Sequence, residues 1–475
     1  MKYAEIGSTR NLVLDDAIVA CQPGTKRIFH EWMKDPQNPI LVKEYEWEGV
    51  GPFTMGSVIH DPVSGHYNMG YCTYHPRTGD YRAGLAVSDD GLHWQRNPDG
   101  CPKGGALSIA VNPNRKAGEY RYFTMDYMRE TGQLPGRAMF RQSRDGFEWE
   151  PFPSNPWWEG PSDVINIIWD SGHQCYASYH KLWLVKGTTA DGQLIRTCFS
   201  GFDLVQENMN RVRITGREIF PEPHDASYLF ISGKNGKNDG GGGMVTQDIA
   251  TLRVIGRAES KDFIHWYHHE IVFSPDEQDE IDVQYYGMPV FEYEGMYMAF
   301  PRYFEGISGR MDVRFAFSRD GTRFSMPDRK LVLACGQKGD WDSGMILVSQ
   351  NPLRINNQLC LYYGAANIKH TEHIDENTSY MTGRAWLRID GFASLNGGLA
   401  ITKPVVLQGS NLFINASGKV GIKLRKLDGS VIAGAEWSGD STQAVVSWQS
   451  GGMKHYPLRI EFSLSDGFLF SFWTE

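Results

Sequence analysis

Acidic side chains stand at the starts of a series of strand-like runs. Glu46 and Glu48 flank Trp47, and Asp163 opens the run Val164–Trp169. Glu280 and Asp282 lie in Asp276-Glu-Gln-Asp-Glu-Ile-Asp282, and Asp340 and Asp342 flank Trp341. Paired carboxyl groups of this kind suit the cleavage of a glycosidic bond. One protonates the leaving oxygen while the other attacks the anomeric carbon or activates water. A separation of about 5 Å gives retention and one of about 6.5–9.5 Å gives inversion. Trp47, Trp341 and Tyr285 offer rings to a sugar. His180-Lys181 and Arg302-Tyr303 each end a strand, where a lysine or arginine would hold a carboxylate or hydroxyl. The catalytic candidates are therefore Asp163, Glu280, Asp282, Asp342 and Glu48, and the substrate-binding candidates Trp47, His180, Arg302, Tyr285 and Trp341.

Each candidate has a structural reading as well. Asp163 would cap the turn after Pro161-Ser162, and Asp342 would hold the turn Asp342-Ser-Gly344. The acidic run 276–282 reads equally as a solvated loop. Glu48 beside a packed tryptophan is a common surface arrangement, and a histidine at a strand end is more often packed than catalytic. Asp225, within Pro223-His-Asp225, lies in a long interval that could reach the same pocket.

The elements that position these acids are announced by a repeated phrase. Ser88-Asp-Asp-Gly-Leu-His-Trp94, Ser143-Arg-Asp-Gly-Phe-Glu-Trp149, Ser260-Lys-Asp-Phe-Ile-His-Trp266 and Ser318-Arg-Asp-Gly-Thr-Arg-Phe324 share serine, aspartate and a closing aromatic. Serine and aspartate side chains accept backbone N–H groups, so the phrase builds a tight turn between the third and fourth strands of a unit. Its aspartates Asp90, Asp145, Asp262 and Asp320 are read as fasteners. Innermost strands are expected over 53–60, 106–111, 164–169, 286–293 and 345–350. Second strands are expected over 67–74, 120–127, 175–180, 296–303 and 359–365. Valine, isoleucine, tyrosine and phenylalanine dominate them. Repetition of four-stranded units at this period predicts an all-β chain built as a β-propeller. Five blades are expected, with six as the alternative. The interval between the second and third phrases is about twice the others and contains Ser200-Gly-Phe-Asp203 and the apolar run 226–232. It is either a degenerate blade or an insertion near 185–248.

Beyond Asp390-Gly391-Phe392 the phrase stops and short alternating strands follow, predicting a small β-sandwich over 391–475 after a propeller over 1–390. Net charge of −9 leaves no basic stripe for nucleic acid, and no apolar run is long enough to span a bilayer as a helix. Met1–Arg10 lacks the apolar core of a secretory signal. Seven cysteines without a C-x-x-C pair read as buried free thiols, so a cytoplasmic location is expected, although a removed signal is compatible with the sequence. No His/Asp/Glu spacing makes a metal motif. No cofactor is expected, and any calcium would be structural. The run Gly240–Gly243 lacks the lysine of a phosphate loop.

The phrase Ser-x-Asp-Gly-x-x-Trp, the run Asp163-Val-Ile-Asn-Ile-Ile-Trp-Asp170 and Trp341-Asp-Ser-Gly344 resemble those of five-bladed propeller glycoside hydrolases, the relatives of families 32, 43, 68 and 130. Within that group the chain resembles a bacterial branch carrying Asp-Gly-Phe-x-Ser-Leu after the last blade, as in Asp390–Leu395, followed by a sandwich. That resemblance implies that the strand after Trp169-Asp170 leads directly into Arg253–Asp262, with 185–248 inserted. Trp32-Met-Lys-Asp-Pro-Gln-Asn38 faintly echoes a fructosidase motif but lacks its first asparagine and last glycine, so Asp35 is not taken as a nucleophile. The second unit offers no acid at Cys101–Ser108. The resemblance implies an exo-acting glycoside hydrolase that removes a terminal sugar from an oligosaccharide or glycan in carbohydrate metabolism. Three alternatives stand beside it: a glycoside phosphorylase, which needs a basic cluster beside a single acid; a sialidase-like enzyme; and a non-catalytic carbohydrate-binding propeller.

Overall fold

The computed structural model describes residues 3–475, with these exceptions: 22, 97, 99–107, 114–115, 117–118, 129–136, 147, 159–160, 189–193, 209–210, 219–227, 231–236, 239–243, 246–248 and 450–454. Between 185 and 251 only the backbone of strands is described. Among the described residues the chain is all-β, relieved by one 3-10 turn at Glu46–Glu48.

The repeat units are antiparallel meanders arranged as a β-propeller. The first comprises Val58–His60, Tyr67–His75, Asp80–Ser88 and Gln95–Arg96. The second comprises Ile109–Val111, Tyr122–Met128, Arg137–Ser143 and Glu150–Pro151. Ile165–Asp170, Cys175–Thr188, Ile249–Ser260 and Tyr267–Phe273 form the third. In the fourth, broken strands run from Val283–Tyr285 through Arg302–Glu305 to Met311–Val313 and Ala316–Ser318. The fifth holds Met345–Val348, Gln358–Ala366 and Tyr380–Arg388. The expectation of five separate blades needs correcting. A parallel bridge, Met311↔Met345, runs the fourth and fifth meanders into one eight-stranded sheet, so the large hydrogen-bonded sheets of the propeller number four.

The ring closes on its own N-terminal segment. Met33–Lys34 pairs antiparallel with Ala385-Trp386 as the outermost strand of the fifth meander. Asp35 then grips Arg384 through two oxygen–nitrogen contacts of 2.6 and 3.1 Å, which gives this acid a structural task.

Around the axis the inner strands are stitched by side chains. Ser57 Oγ accepts from Ile109 N, Ser108 Oγ from Ile167 N and Asn166 Oδ1 from Val290 N, each at 2.8 Å. Gln350 lies across them, accepting from Ser57 and Ser108 and donating to the Ile167 carbonyl. Buried polar groups cost free energy unless paired, so this belt fixes the register of neighbouring meanders and plugs the axis.

The long interval between the second and third phrases extends the third sheet. Trp183–Thr188 pairs with Leu194–Phe199 on one side, and Trp183–Gly187 with Ile249–Arg253 on the other. Ser200–Asp203 lies inside the strand Leu194–Asn208, and among the described residues its pairing partners belong to the third sheet. The 226–232 run falls largely outside the described residues.

The C-terminal part is an eight-stranded sheet dominated by Leu412–Arg425, Val431–Val445 and Arg459–Thr474. The chain's beginning joins it. Asn11–Leu12, Val19–Cys21 and Lys26–Phe29 pair with strands of this sheet, and Ala4–Ile6 runs parallel to Val405–Leu407. Residues 4–29 therefore belong here rather than with the propeller, and Ile6, Val13 and Val19 share a core with Leu395, Ile414, Phe462 and Phe472. Asp390 ties the two parts together. It accepts from Tyr293 Oη at 2.6 Å on the propeller side, and from Ser471 Oγ at 2.6 Å and Arg10 Nη1 at 2.8 Å on the other.

Candidate functional site

The turn Pro161-Ser162-Asp163 feeds the inner strand of the third unit. Lys181, at the crossing of the second strand, donates its backbone N–H to the Val164 carbonyl. That ladder places Lys181 Nζ 2.5 Å from Asp163 Oδ1, while Ser162 Oγ donates to the same oxygen at 2.9 Å. The Asp163 side chain is 37% exposed and that of Lys181 only 4%. Burial pulls the Asp163 carboxyl up, but the lysine cation and the serine hydroxyl outweigh it and hold the pKa down to about 2. Asp163 is an ionised carboxylate at neutral pH, open on one side.

Three further strands bring polar groups to this ion pair. Tyr286, from the inner strand of the fourth unit, lies with its ring 4.5 Å from Lys181 Nζ. His370 follows the second strand of the fifth unit and sets its Nε2 2.9 Å from the Tyr286 hydroxyl. Burial pushes the His370 pKa down to about 4, Arg253 and Lys181 push the same way, and Asp163 opposes them. Arg253 enters from the third strand of the third unit, packed among the rings of Trp183, Tyr286 and Phe304, and donates to Gln284 Oε1 at 2.8 Å.

Arg302 reaches across the axis from the fourth unit. Its Nη2 donates to the Met55 carbonyl of the first unit at 3.0 Å and the Val348 carbonyl of the fifth at 3.1 Å. Its Nε and Nη1 are buried without a hydrogen-bond partner, and burial lowers its pKa to about 10. Gly287 makes the room. A Cβ there would stand 2.8 Å from Val164 and 3.3 Å from Arg302 Nη1.

The other predicted acids go elsewhere. Glu48 is fully buried, accepting backbone N–H groups of Glu44 and Tyr45 at 2.7 and 3.0 Å, the Tyr71 hydroxyl at 3.0 Å and Arg96 Nη1 at 2.7 Å. Its neighbour Trp47 is stacked between Tyr45 and Tyr71. Asp342 is buried against Lys34 Nζ at 2.5 Å, on the closing strand, with Trp341 stacked on Tyr363. Glu280 accepts from Tyr303 and Arg314, while Asp282 holds the backbone of Gly306 and Ile307. Tyr285 turns its hydroxyl to Asp279 in the core between the third and fourth units. His180 packs edge-on to Trp158, and burial with neighbouring His269 pushes it down to about 3. Among the described residues, Asp163 shares no hydrogen bond or ion pair with Glu48, Glu280, Asp282 or Asp342. Of the predicted residues, Asp163 lies beside Lys181, and Arg302 comes near it only at Gly287, which packs against both Val164 and Arg302. Asp225 lies outside the described residues.

Tyr286, His370, Arg253 and Asp126 were not singled out from the sequence. Tyr286 and Tyr285 face opposite ways as neighbours in an extended run, and only the structure shows that Tyr285 takes the core side. Asp126, on the second strand of the second unit, pairs with Arg141 at 2.5 Å and is 27% exposed. Burial dominates and raises its pKa to about 6, against the pull of Arg141. Among the described residues no group of three or more His, Cys, Asp or Glu is placed to hold a metal ion, and no helix is long and apolar enough to cross a membrane.

No family profile matches the chain, and no curated protein matches it. Several solved β-propellers follow a similar course at low identity. A family-43 thermostable glycoside hydrolase is 10% identical over 73% of this chain and 92% of its own, with a TM-score of 0.41. A glycoside hydrolase of family 130, described with the mannoside phosphorylases and acting on β-1,2 mannosidic linkages in Candida mannan, is 13% identical over 76% and 94%, TM-score 0.41. An N-acetylgalactosamine deacetylase from F. plautii, bound to blood group B trisaccharide, is 12% identical over 78% and 96%, TM-score 0.43.

Proposed function

We propose that the chain is a glycoside hydrolase acting on a terminal sugar at the axial mouth of the propeller. The observation that carries this reading is Asp163, an ionised carboxylate with one open side, held by a buried lysine where three units converge. A carboxylate in that state attacks an anomeric carbon or draws a proton from water; it cannot act as the acid. The acid requires a carboxyl with a raised pKa, and Asp126, pushed up to about 6 by burial, is the candidate we take for that role. Gln350 and Arg302 tie the inner strands of several units together, an arrangement that would close one end of an axial site and so suit a chain terminus.

The test is release of sugar from a panel of aryl glycosides and oligosaccharides by wild type and by Asp163→Asn. Loss of about 10²–10⁴-fold in turnover with an unchanged melting temperature is expected. Unaltered turnover removes Asp163 from the mechanism. A wild type that binds the sugars and releases none makes this a binding propeller.

A further inference from the structure

We propose that one face of the second unit binds a pyranose ring of an oligosaccharide, with the Trp157 indole as its platform and the Asp126–Arg141 pair as its hydrogen-bonding edge. The ligand class rests on the sugar-directed function proposed above, whereas the face itself follows from strand register. Asp126 stands opposite Met139, and Met139 opposite Trp157, so one row of residues crosses three strands. Directly opposed residues of antiparallel strands share a face, which puts the three side chains on one side of the sheet. Arg137 and Arg141, two places either side of Met139, join them there.

The two faces of this sheet are packed unequally. Along Arg137–Gln142 half-buried and buried residues alternate, and Ala138 and Phe140 lie fully buried in a core shared with the third unit. Trp158 turns to that core as well, stacked on Trp266 with ring centroids 5.0 Å apart. Its neighbour Trp157 points the other way and is left 49% exposed. The first and second units do meet, where Ile59 packs against Ile109, Tyr122 and Trp149. Asp126 lies four residues beyond Tyr122 on the same strand, about 13 Å further along. There the face is open to solvent: the Asp126 and Arg141 side chains keep 27% and 31% of their exposure although they pair at 2.5 Å.

These groups match what a sugar ring needs. An indole face covers the apolar C–H face of a pyranose, and a carboxylate beside a guanidinium accepts from one hydroxyl and donates to the next. Arg137 sets its guanidinium 5.7 Å from the Trp157 ring centroid, a cation–π contact that steadies the indole. Two strand spacings separate Trp157 from Asp126, about 10 Å across Met139, which leaves one ring's width between platform and polar edge.

The experiment is isothermal titration of the full chain with cellotriose, xylotriose and mannotriose. Binding of at least one trisaccharide is expected, and Trp157→Ala should weaken it about tenfold. Trp157→Phe, which keeps a ring, should retain most of the affinity. If no trisaccharide binds, or if Trp157→Ala binds with full affinity, the site is overturned. Equal losses in Trp157→Ala and Trp157→Phe overturn the stacking role. Trp157 is half exposed, so both variants are expected to fold, and an unchanged melting temperature checks this. The two proposals fail separately. Trisaccharide binding that depends on Trp157, in a wild type that releases no sugar, defeats only the hydrolase reading. Release of sugar from aryl glycosides by a wild type that binds none of the three defeats only this site.

Discussion

The outer hairpins and the axial mouth are both rich in polar side chains, but they satisfy them differently. In the hairpins every aspartate of the repeated phrase is saturated locally. Asp90 accepts from the N–H groups of Leu92 and His93 at 2.8 Å and from Ser88 Oγ at 3.1 Å. Asp262 and Asp320 repeat the arrangement with the residues two and three places on. The glycine after the aspartate takes φ near +70° in the first and fourth copies. Phe263 takes +67° in the third, where its buried ring compensates for the strain. At the mouth, by contrast, Arg302 and His370 keep buried nitrogens open, and Asp163 faces outward. A saturated acid is a fastener; an acid held by one buried lysine with a side left open is poised for something from outside.

The comparison breaks first on rate. Asp163→Asn should cost about 10²–10⁴-fold in kcat, whereas Asp320→Ala should leave kcat unchanged. Equal kinetic effects would erase the distinction between the two regions. On stability the order reverses. Glu48→Ala leaves the Tyr71 hydroxyl and the N–H groups of Glu44 and Tyr45 without their buried acceptor, while Arg96 keeps Glu44, and should destabilise by about 2–3 kcal/mol with kcat intact, read from denaturant unfolding. A loss below about 1 kcal/mol would mean that water replaces the carboxylate at these donors. Asp320→Ala removes two accepted backbone bonds and a serine bond at an exposed turn, and about 1 kcal/mol is expected.

What the sequence made legible follows from how local each interaction is. The Ser-x-Asp phrase completes its hydrogen bonds within a few residues, so the meanders and their inner strands could be placed from residue types alone. Asp163 and Arg302 could be singled out as candidates because they stand where strands start, whereas Lys181, expected at a strand end, lies inside the longer strand Cys175–Thr188. The closing strand Met33–Lys34 was not legible, since its partner lies some 350 positions away. The pairing of residues 4–29 with the C-terminal sheet was hidden for the same reason. Tyr285 and Tyr286 differ by one place on a strand, and the alternation alone does not say which face looks to the pocket. Glu48 and Asp342 looked reactive beside tryptophans until Arg96 and Lys34 arrived from distant strands.

The smallest expected effect is also the sharpest in sign. Asp262 and Asp320 have pKa values near 2. Burial raises them, but the backbone donors and neighbouring side chains outweigh it. A folded value below the unfolded one gives stability that is present above about pH 4 and lost as pH falls toward 2. Asp126 runs the other way. Its folded value, raised to about 6, favours the protonated folded form, so its contribution is full below about pH 4 and declines as pH rises to about 6. The wild-type midpoint in denaturant should thus fall by an amount of order 1 kcal/mol between pH 4 and 6, and Asp126→Asn should flatten that interval while leaving the acid limb in place. If the variant keeps the decline, Asp126 is ionised throughout by Arg141, and the proton donor must be sought at another carboxyl.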